Sequence, residues 1–263
     1  MGKNRIPIYQ VDAFSSKVFC GNPAAICPLE EWLPDDQMQA IAGENNLSET
    51  AFFVRNGDGY GLRWFTPAVE IDLCGHATLA SAFIILNDLT PSENSVRFQT
   101  KSGTLVVTRE SDLFSLDFPS RPPSECQVHS QLVEAVGASP EAILAARDYL
   151  VVYASEDQVR KLEPNMQLLS QLDKFAVIVT APGRDVNFVS RFFAPAKGVP
   201  EDPVTGSAHC TLIPYWSKRL GKKKLHAYQV SRRGGELWCE DRGERVTMSG
   251  KAARFLEGTI YLT

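Results

Sequence analysis

The sequence has 263 residues, 44% of them hydrophobic and 22% charged, and these proportions exclude a disordered or fibrous chain. A chain of this length can form one large domain or two of about 100 to 150 residues, and we expect two. The net charge of −4 and the pI near 5.7 leave no broad basic field, so neither nucleic acid nor a membrane is an expected partner.

The first residues and the cysteines indicate a cytoplasmic protein without disulfides. Residues 1–10 pass directly into strand-like alternation, and no window reaches the roughly 18 apolar residues that a membrane span needs. The six cysteines are scattered without a Cys-x-x-Cys pair, which argues against a disulfide framework and a structural zinc site. Glycine and histidine spacings match no nucleotide or zinc motif, so we expect no metal and no cofactor.

The first half is predicted to consist of strands and two helices. Pro34 followed by two aspartates marks a helix start, and that helix should end near Asn45. The run from Ala77 to Leu86 is apolar all round, which predicts a buried helix. The predicted strands of this half are Ile6 to Val11, Ala24 to Cys27, Thr50 to Arg55, Gly61 to Phe65, Val96 to Gln99, Thr104 to Thr108 and Phe114 to Phe118.

The second half is predicted to repeat this plan after a proline-rich linker at residues 119–128. We therefore place the two halves at residues 1–118 and 119–263, and the terminal strand could cross to the other half. The predicted elements of the second half are short helices at Ser130 to Val136 and Pro140 to Ala146, and strands at Tyr149 to Tyr153, Phe175 to Thr180 and Phe188 to Phe193.

Two segments of the first half recur in the second in the same order. RWFTPA, which begins at Arg63, aligns with RFFAPA, which begins at Arg191, an offset of 128 positions that also puts Cys74 on Asp202. QTKSGTL, from Gln99, resembles QVSRRGGEL, from Gln229, with two residues inserted. Such similarity implies duplication, and hence two halves related by a pseudo-two-fold axis with a cleft between them.

Each repeat contains a proline turn followed by a helix that opens in small residues. The exposed amides of a helix start bind anions, so two such starts facing each other would hold a carboxylate and stabilise an enolate-like charge. Cys74 and Asp202 at these turns could exchange protons, and a helix start lowers a thiol's pKa. Alternatively, Cys74 is a small buried residue and Asp202 a helix cap. The predicted substrate-binding residues are Gly75, Ala77, Gly206, Thr205 and Asn22.

Five stretches of the sequence together resemble the phenazine-biosynthesis isomerase-like (PhzF) family along the whole chain. They are GNPAA (Gly21 to Ala25), NLSETAF (Asn46 to Phe52), RWFTPAVEIDLCGHATLASA (Arg63 to Ala82), RFFAPAKGVPEDPVTGSAH (Arg191 to His209) and RGGEL (Arg233 to Leu237). The family is related in fold to diaminopimelate epimerase and proline racemase. The resemblance implies an α/β (α+β) fold of two halves, each a curved mixed sheet or open barrel around a central helix, and it suggests a homodimer.

The resemblance also implies the site residues. Glu49 matches the family's acid/base, which shifts a hydrogen on a dihydroaromatic amino acid, and His76, Asp202 and Ser207 match the rest of that site. Cys74 is the main departure from the phenazine enzyme: it stands where the related epimerases have one catalytic cysteine, and Asp202 stands where they have the other. Either Glu49 works alone as a 1,3-proton shuttle, or Cys74 takes part in a two-base inversion.

Single residues allow other interpretations. Glu49 could be a solvated carboxylate at the start of a strand, and His76 a helix-start histidine satisfied by backbone. His209 follows Asp202 and Ser207 closely enough to suggest a hydrolytic triad, but no Gly-x-Ser-x-Gly elbow is present.

The function predicted from the sequence is a cofactor-independent isomerase. It would move a proton on a small carboxylate-bearing substrate, an amino acid or a cyclic or dihydroaromatic acid, with Glu49 as the acid/base. The alternative is a small-ligand binding or regulatory protein of low turnover that keeps the isomerase cleft.

Overall fold

The computed structural model describes residues 5–262, which form two compact units. The first unit contains residues up to Asp117 together with those from Ser249 onward, and the second is Phe118–Met248. Residues 1–4 and 263, the outer ends of the two predicted halves, lie outside the described part.

The first unit contains two helices, eight complete strands and parts of two more, at which the chain leaves for the second unit after Asp117 and returns at Ser249. Its helices are α1, Asp35–Asn45, and α2, Gly75–Ile84, which continues as a π-helical turn at Ile85–Leu89. Its strands are β1 (Arg5–Ala13), β2 (Asn22–Leu29), β3 (Glu49–Asn56), β4 (Gly59–Phe65), β5 (Glu70–Ile71), β6 (Ser95–Thr100), β7 (Gly103–Glu110), β8 (Leu113–Pro119) and β17 (Ala252–Tyr261).

The strands of the first unit pair in an alternating pattern. The β1 strand pairs antiparallel with β17 and with β2, and β2 pairs parallel with β3. The β3 strand pairs antiparallel with β4, β4 pairs parallel with β6, and β6 pairs antiparallel with β7. Helix α1 connects β2 to β3 and helix α2 connects β4 to β6, because parallel neighbours need a crossover.

The second unit has four helices. They are α3 (Leu132–Val136), α4 (Glu156–Lys161), α5 (Met166–Leu169) and α6 (Gly206–Leu220). Its strands are β9 (Ala142–Ala145), β10 (Tyr149–Val152), β11 (Val177–Pro182), β12 (Phe188–Ala194), β13 (Val199–Asp202), β14 (Lys224–Gln229), β15 (Gly235–Asp241) and β16 (Arg245–Gly250), the last of which ends in the first unit.

The predicted helix at Pro140 to Ala146 is wrong, because these residues contain β9. Ala142 to Ala145 pair antiparallel with Val152 to Tyr149 of β10, whose four residues are all buried. Alanine has the highest helix propensity of the amino acids, but intrinsic propensities are small, and pairing with a buried apolar strand outweighs them here.

The second unit repeats the strand pairings of the first. The β9 and β10 strands are antiparallel, β10 and β11 parallel, β11 and β12 antiparallel, β12 and β14 parallel, and β14 and β15 antiparallel. Gly61 pairs with Gln99 in the first unit, as Ser190 pairs with Gln229 in the second. This common order supports the predicted duplication.

The two central helices are α2 and α6. Eight of the ten residues of α2 are buried, as the sequence predicts, and the helix packs against β1, β2 and β3. Helix α6 packs against β14 and β15 and ends at Gly221, which adopts a left-handed conformation. Lys218 and Arg219 lie in its last turn, where cations suit the helix dipole.

The structure corrects the equivalence of Cys74 with Asp202. Trp64 pairs with Ile71 in the first unit, whereas its counterpart Phe192 pairs with Asp202 in the second. Asp202 therefore corresponds to Ile71. The second repeat is longer here because it contains a 3-10 turn, Pro195–Lys197, so α6 begins 131 residues after α2.

The residue that precedes each central helix is Cys74 in the first unit and Thr205 in the second. Both have extended backbone conformations, and both are followed by glycine. By this register His76 corresponds to Ser207.

An arginine and a glutamate form the same bidentate ion pair in both repeats. Arg63 donates to Glu70 at 2.7 and 2.9 Å, and Arg191 donates to Glu201 at 2.7 and 3.1 Å. The Arg63 guanidinium lowers the pKa of Glu70 to about 2. Each pair fixes the short strand β5 or β13 in front of its central helix.

No helix within residues 5–262 is long and apolar enough to cross a membrane.

Candidate active site

The first unit brings three predicted residues together around a fourth, His76. Glu49 is the first residue of β3, Asn22 the first of β2, and Cys74 and His76 flank the first residue of α2. Because β2 and β3 are parallel and α2 packs on both, the starts of these strands lie beside the start of the helix.

His76 contacts all three other groups through its two ring nitrogens. Nε2 lies 2.9 Å from Glu49 Oε2, although the angles there are not those of a hydrogen bond. Nδ1 lies 3.2 Å from Asn22 Nδ2 and 3.5 Å from Cys74 Sγ. The His76 side chain is 6% exposed and that of Glu49 15%, so the contact is largely shielded from water.

Burial raises the pKa of the Cys74 thiol to about 11, and the charge of Glu49 adds to this effect. The prediction that the helix start lowers this pKa is therefore wrong. A helix dipole is worth about 0.3–1 kcal/mol at an exposed site, which is less than the cost of burying a thiolate. At neutral pH Cys74 is a protonated thiol.

The pKa of His76 is raised well above its ordinary value of 6.5. Burial alone would lower it, but the charges and hydrogen-bonding atoms of Cys74 and Glu49 outweigh burial. Since the thiol is protonated at neutral pH, we assign the effect there to Glu49. The contact with Asn22 Nδ2 fits a neutral ring, but a half-turn of the Asn22 amide presents its oxygen to the charged ring.

We expect the His76 imidazole to stay charged as the pH rises above 6.5, and Glu49→Gln to lower its pKa, because burial then acts without the carboxylate. Nitrogen NMR of the ring checks both. A raised pKa in the folded state stabilises the fold below pH 6.5, and this contribution is lost as the pH rises through the folded-state value. A pKa that Glu49→Gln leaves unchanged would contradict the assignment.

The start of α6 in the second unit is held by a buried glutamine. Gln229 Oε1 accepts from the Thr205 amide at 2.9 Å, and Gln229 Nε2 donates to the Asp202 carbonyl at 2.7 Å. The Thr205 hydroxyl donates to the Asp202 carboxylate. Asp202 therefore accepts from the helix-cap residue and is not itself the cap.

Ser207 contacts a residue that the sequence interpretation missed. Arg147 Nη2 donates to Ser207 Oγ at 3.1 Å. Arg147 lies in the turn between β9 and β10, directly after the segment predicted as a helix, and no sequence motif marks it as a candidate. An Arg-Asp pair directly before the apolar run YLVVY was the available signal of a turn.

His209 does not form the hydrolytic triad that its spacing allows. Its Nδ1 donates to the Thr205 carbonyl at 2.8 Å, and the described part of the chain shows no hydrogen bond between His209 and Ser207. Burial lowers the pKa of His209 to about 4, so the ring is neutral at physiological pH. The buried His209 ring packs against the Phe188 ring.

Glu49, Cys74 and His76 are also of residue types that bind transition metals. One ligand atom from each lies within 4.8 Å of the others. Zinc would require the Cys74 thiol to lose its proton, and it would displace the ion pair of His76 with Glu49. The groups already contact one another, so the arrangement suits proton transfer without a metal.

The predicted site residues divide between the two units. Glu49, Cys74 and His76 lie in the first, with the predicted substrate-binding residues Asn22, Gly75 and Ala77. The second unit contains Asp202, Thr205, Gly206 and Ser207. That both groups bind one substrate stays a prediction.

Comparisons with known proteins identify the family. A profile of the phenazine biosynthesis-like proteins (PhzC-PhzF) matches residues 11–258. The chain belongs to this family. It is 51% identical to an uncharacterized isomerase of Pseudomonas aeruginosa over 257 residues, which are 98% of this chain and 99% of that protein. On this basis the chain is an isomerase, as predicted.

Solved structures confirm the predicted fold. The crystal structure of a PhzF-family protein from Enterococcus faecalis is 49% identical, with a TM-score of 0.96 over 98% of this chain and 100% of that one. A hydroxyproline epimerase from Agrobacterium vitis, with bound trans-4-hydroxy-L-proline, has a TM-score of 0.61 at 10% identity. The match covers 99% of this chain and 94% of the epimerase chain. This likeness shows the diaminopimelate epimerase-like fold alone.

Proposed function

We propose that the protein is a cofactor-independent isomerase that moves a proton on a small carboxylate-bearing substrate. The substrate is an amino acid or a cyclic or dihydroaromatic acid. The observation that carries this proposal is the shielded contact between the Glu49 carboxylate and the His76 imidazole, 2.9 Å apart at the start of α2.

In this reaction Glu49 takes a proton from a carbon next to an electron-withdrawing group. The electron pair of the broken C–H bond moves into the conjugated system, and the same carboxyl returns the proton at another carbon. Substrate and product are therefore isomers, and no electrons enter or leave. The His76 charge stabilises the carboxylate, and the first-turn amides of α2 at Gly75 and Ala77 would face developing negative charge.

Two features favour one base over two. The Cys74 thiol, with a pKa of about 11, is mostly protonated at neutral pH. Its counterpart in the second repeat is Thr205, whose hydroxyl donates a hydrogen bond to the Asp202 carboxylate. A pair of thiols at the two helix starts, as two-base inversion by cysteines needs, does not exist in this sequence.

The test is incubation in deuterated water with a panel of amino acids and dihydroaromatic acids, without added metal or cofactor. We expect one substrate to gain deuterium at carbon, which mass spectrometry and NMR detect. If no compound exchanges while one of them still raises the melting temperature, the protein is instead a binding protein.

We also propose a cytoplasmic homodimer. Light scattering after gel filtration tests the oligomeric state, and a mass of 29.1 kDa, that of one chain, would contradict it.

A further inference from the structure

Arg147 is fixed on three sides at the turn between β9 and β10. Its Nε and Nη2 each donate at 3.0 Å to the carboxylate of Asp148, which is 1% exposed. The guanidinium carbon lies 4.3 Å from the centre of the Phe175 ring. Nη2 also donates to Ser207 Oγ. The side chain is therefore held in one orientation before any ligand binds.

One nitrogen of this fixed guanidinium is left over. Arginine has five N–H groups, and the contacts with Asp148 and Ser207 use the three on Nε and Nη2. Nη1 has no hydrogen-bond partner in the described part of the chain, and the side chain is 34% exposed. Because Ser207 Oγ accepts from Nη2, its own hydroxyl proton can be donated to a ligand beside Nη1.

In the first unit, too, a side chain from the start of a strand contacts the second residue of the central helix, but the residue types differ. There the side chain of Asn22, the first residue of β2, contacts His76, the second residue of α2. In the second unit Arg147, from the turn before β10, contacts Ser207, the second residue of α6. The strand registers place Ala176 where the first unit has Glu49. The duplicated scaffold therefore carries an acid/base group in one unit and a guanidinium with a hydroxyl in the other.

A second cation, Lys197, packs on the same aromatic ring as Arg147. Lys197 Nζ lies 5.3 Å from the centre of the Phe175 ring on which Arg147 packs. Ser207 itself is in the first turn of a 15-residue helix, where backbone amides favour anions. The carboxylate that contacts Arg147, that of Asp148, is buried and binds Nε and Nη2, which leaves Nη1 free of it.

We propose that Arg147 and Ser207 form a binding site for a carboxylate group of the substrate and that Arg147 selects acids over their amides and esters. This inference deepens the proposed function and rests on it for the identity of the ligand. With Nε and Nη2 bound to Asp148, Nη1 would donate to the ligand carboxylate, and such a charge-assisted hydrogen bond is stronger than one between neutral groups.

Malonate is the probe, and its dissociation constant is measured by calorimetry at low ionic strength. Arg147→Gln should weaken binding about tenfold, the loss of one charge-assisted hydrogen bond. Arg147→Lys should fall between this variant and the native protein, because lysine keeps the charge but not the planar fork. Arg184→Gln, at an exposed ion pair with Asp157 in the same unit, is the matched control and should bind as the native protein does.

Two further variants keep the outcome decisive. Arg147→Gln leaves the buried Asp148 without its cation and could unfold the protein, whereas the double variant Arg147→Gln, Asp148→Asn removes both charges. The proposal is overturned if this folded double variant binds malonate as the native protein does, or if the native protein does not bind malonate. Solvent deuterium exchange by the native protein is measured separately, so a failure of the proton-transfer proposal is distinguished from a failure to bind malonate.

Discussion

Glu49→Gln is expected to lower kcat/KM by about a thousandfold, within the range that a positioned general acid/base contributes. Glutamine has the size of glutamate but does not take up a proton from carbon. The loss should appear in kcat, since the substitution leaves the amides of the α2 start and the contacts of Ser207 in place. Steady-state kinetics on the substrate found by deuterium exchange measure the effect.

Glu44→Gln is the matched control. Glu44 is an exposed residue of α1, and its replacement should leave kcat/KM unchanged. Circular dichroism and melting temperature should show that both variants keep the fold. Glu49→Gln with near-native kcat would remove Glu49 from the reaction.

Gly21→Ala is expected to destabilise the first unit by about 3 kcal/mol or more. Gly21 has a φ of 69°, which costs an alanine about 1 kcal/mol, and the added Cβ would overlap the backbone carbonyl oxygen of Ala13. Because Ala13 pairs with Asn22, relief of this overlap must separate β1 from β2 next to the site. Calorimetry and amide hydrogen exchange of β1 and β2 measure the effect.

Gly57→Ala separates the cost of backbone strain from the cost of the steric overlap expected at Gly21. Gly57 has a φ of 59°, but a Cβ there would have nothing within 4 Å. Its replacement should cost only the backbone strain, about 1 kcal/mol. Equal losses for the two variants would show that the overlap at Gly21 is relieved without cost, against our expectation.

Periodicity and turn residues sufficed for most of the fold. The apolar run of α2 predicts its burial, and Pro34 with two aspartates predicts the start of α1 within a residue. The prediction fails at Ala142 to Ala145 because a short alanine-rich stretch takes the structure of its neighbour. The sequence predicts strand β10, but nothing in the segment itself shows that it pairs with that strand.

The sequence predicts the site residues that lie in contiguous motifs. It does not predict the equivalences between the two repeats that depend on the register of strand pairing. Glu49 and His76 come from motifs that match the family without a gap. The equivalence of Cys74 with Thr205 was hidden by a three-residue extension after Pro195, which strand pairing reveals and sequence offset does not. The thiol's raised pKa depends on burial, a property of the folded chain that the helix-start rule ignores.

Arg147 shows the same limit. Its partner Ser207 lies 60 residues further along the chain, and no local pattern joins the two. Only the hairpin of β9 and β10 brings the guanidinium to the start of α6.

Solvent deuterium incorporation by Cys74→Ser and Glu49→Gln, measured side by side by mass spectrometry on the same substrate, tests the central claim most directly. Proton transfer by Glu49 alone predicts that Cys74→Ser labels the substrate at a rate close to that of the native protein, whereas Glu49→Gln does not label it. Labelling that persists in Glu49→Gln and disappears in Cys74→Ser would contradict this account and make the thiol the base.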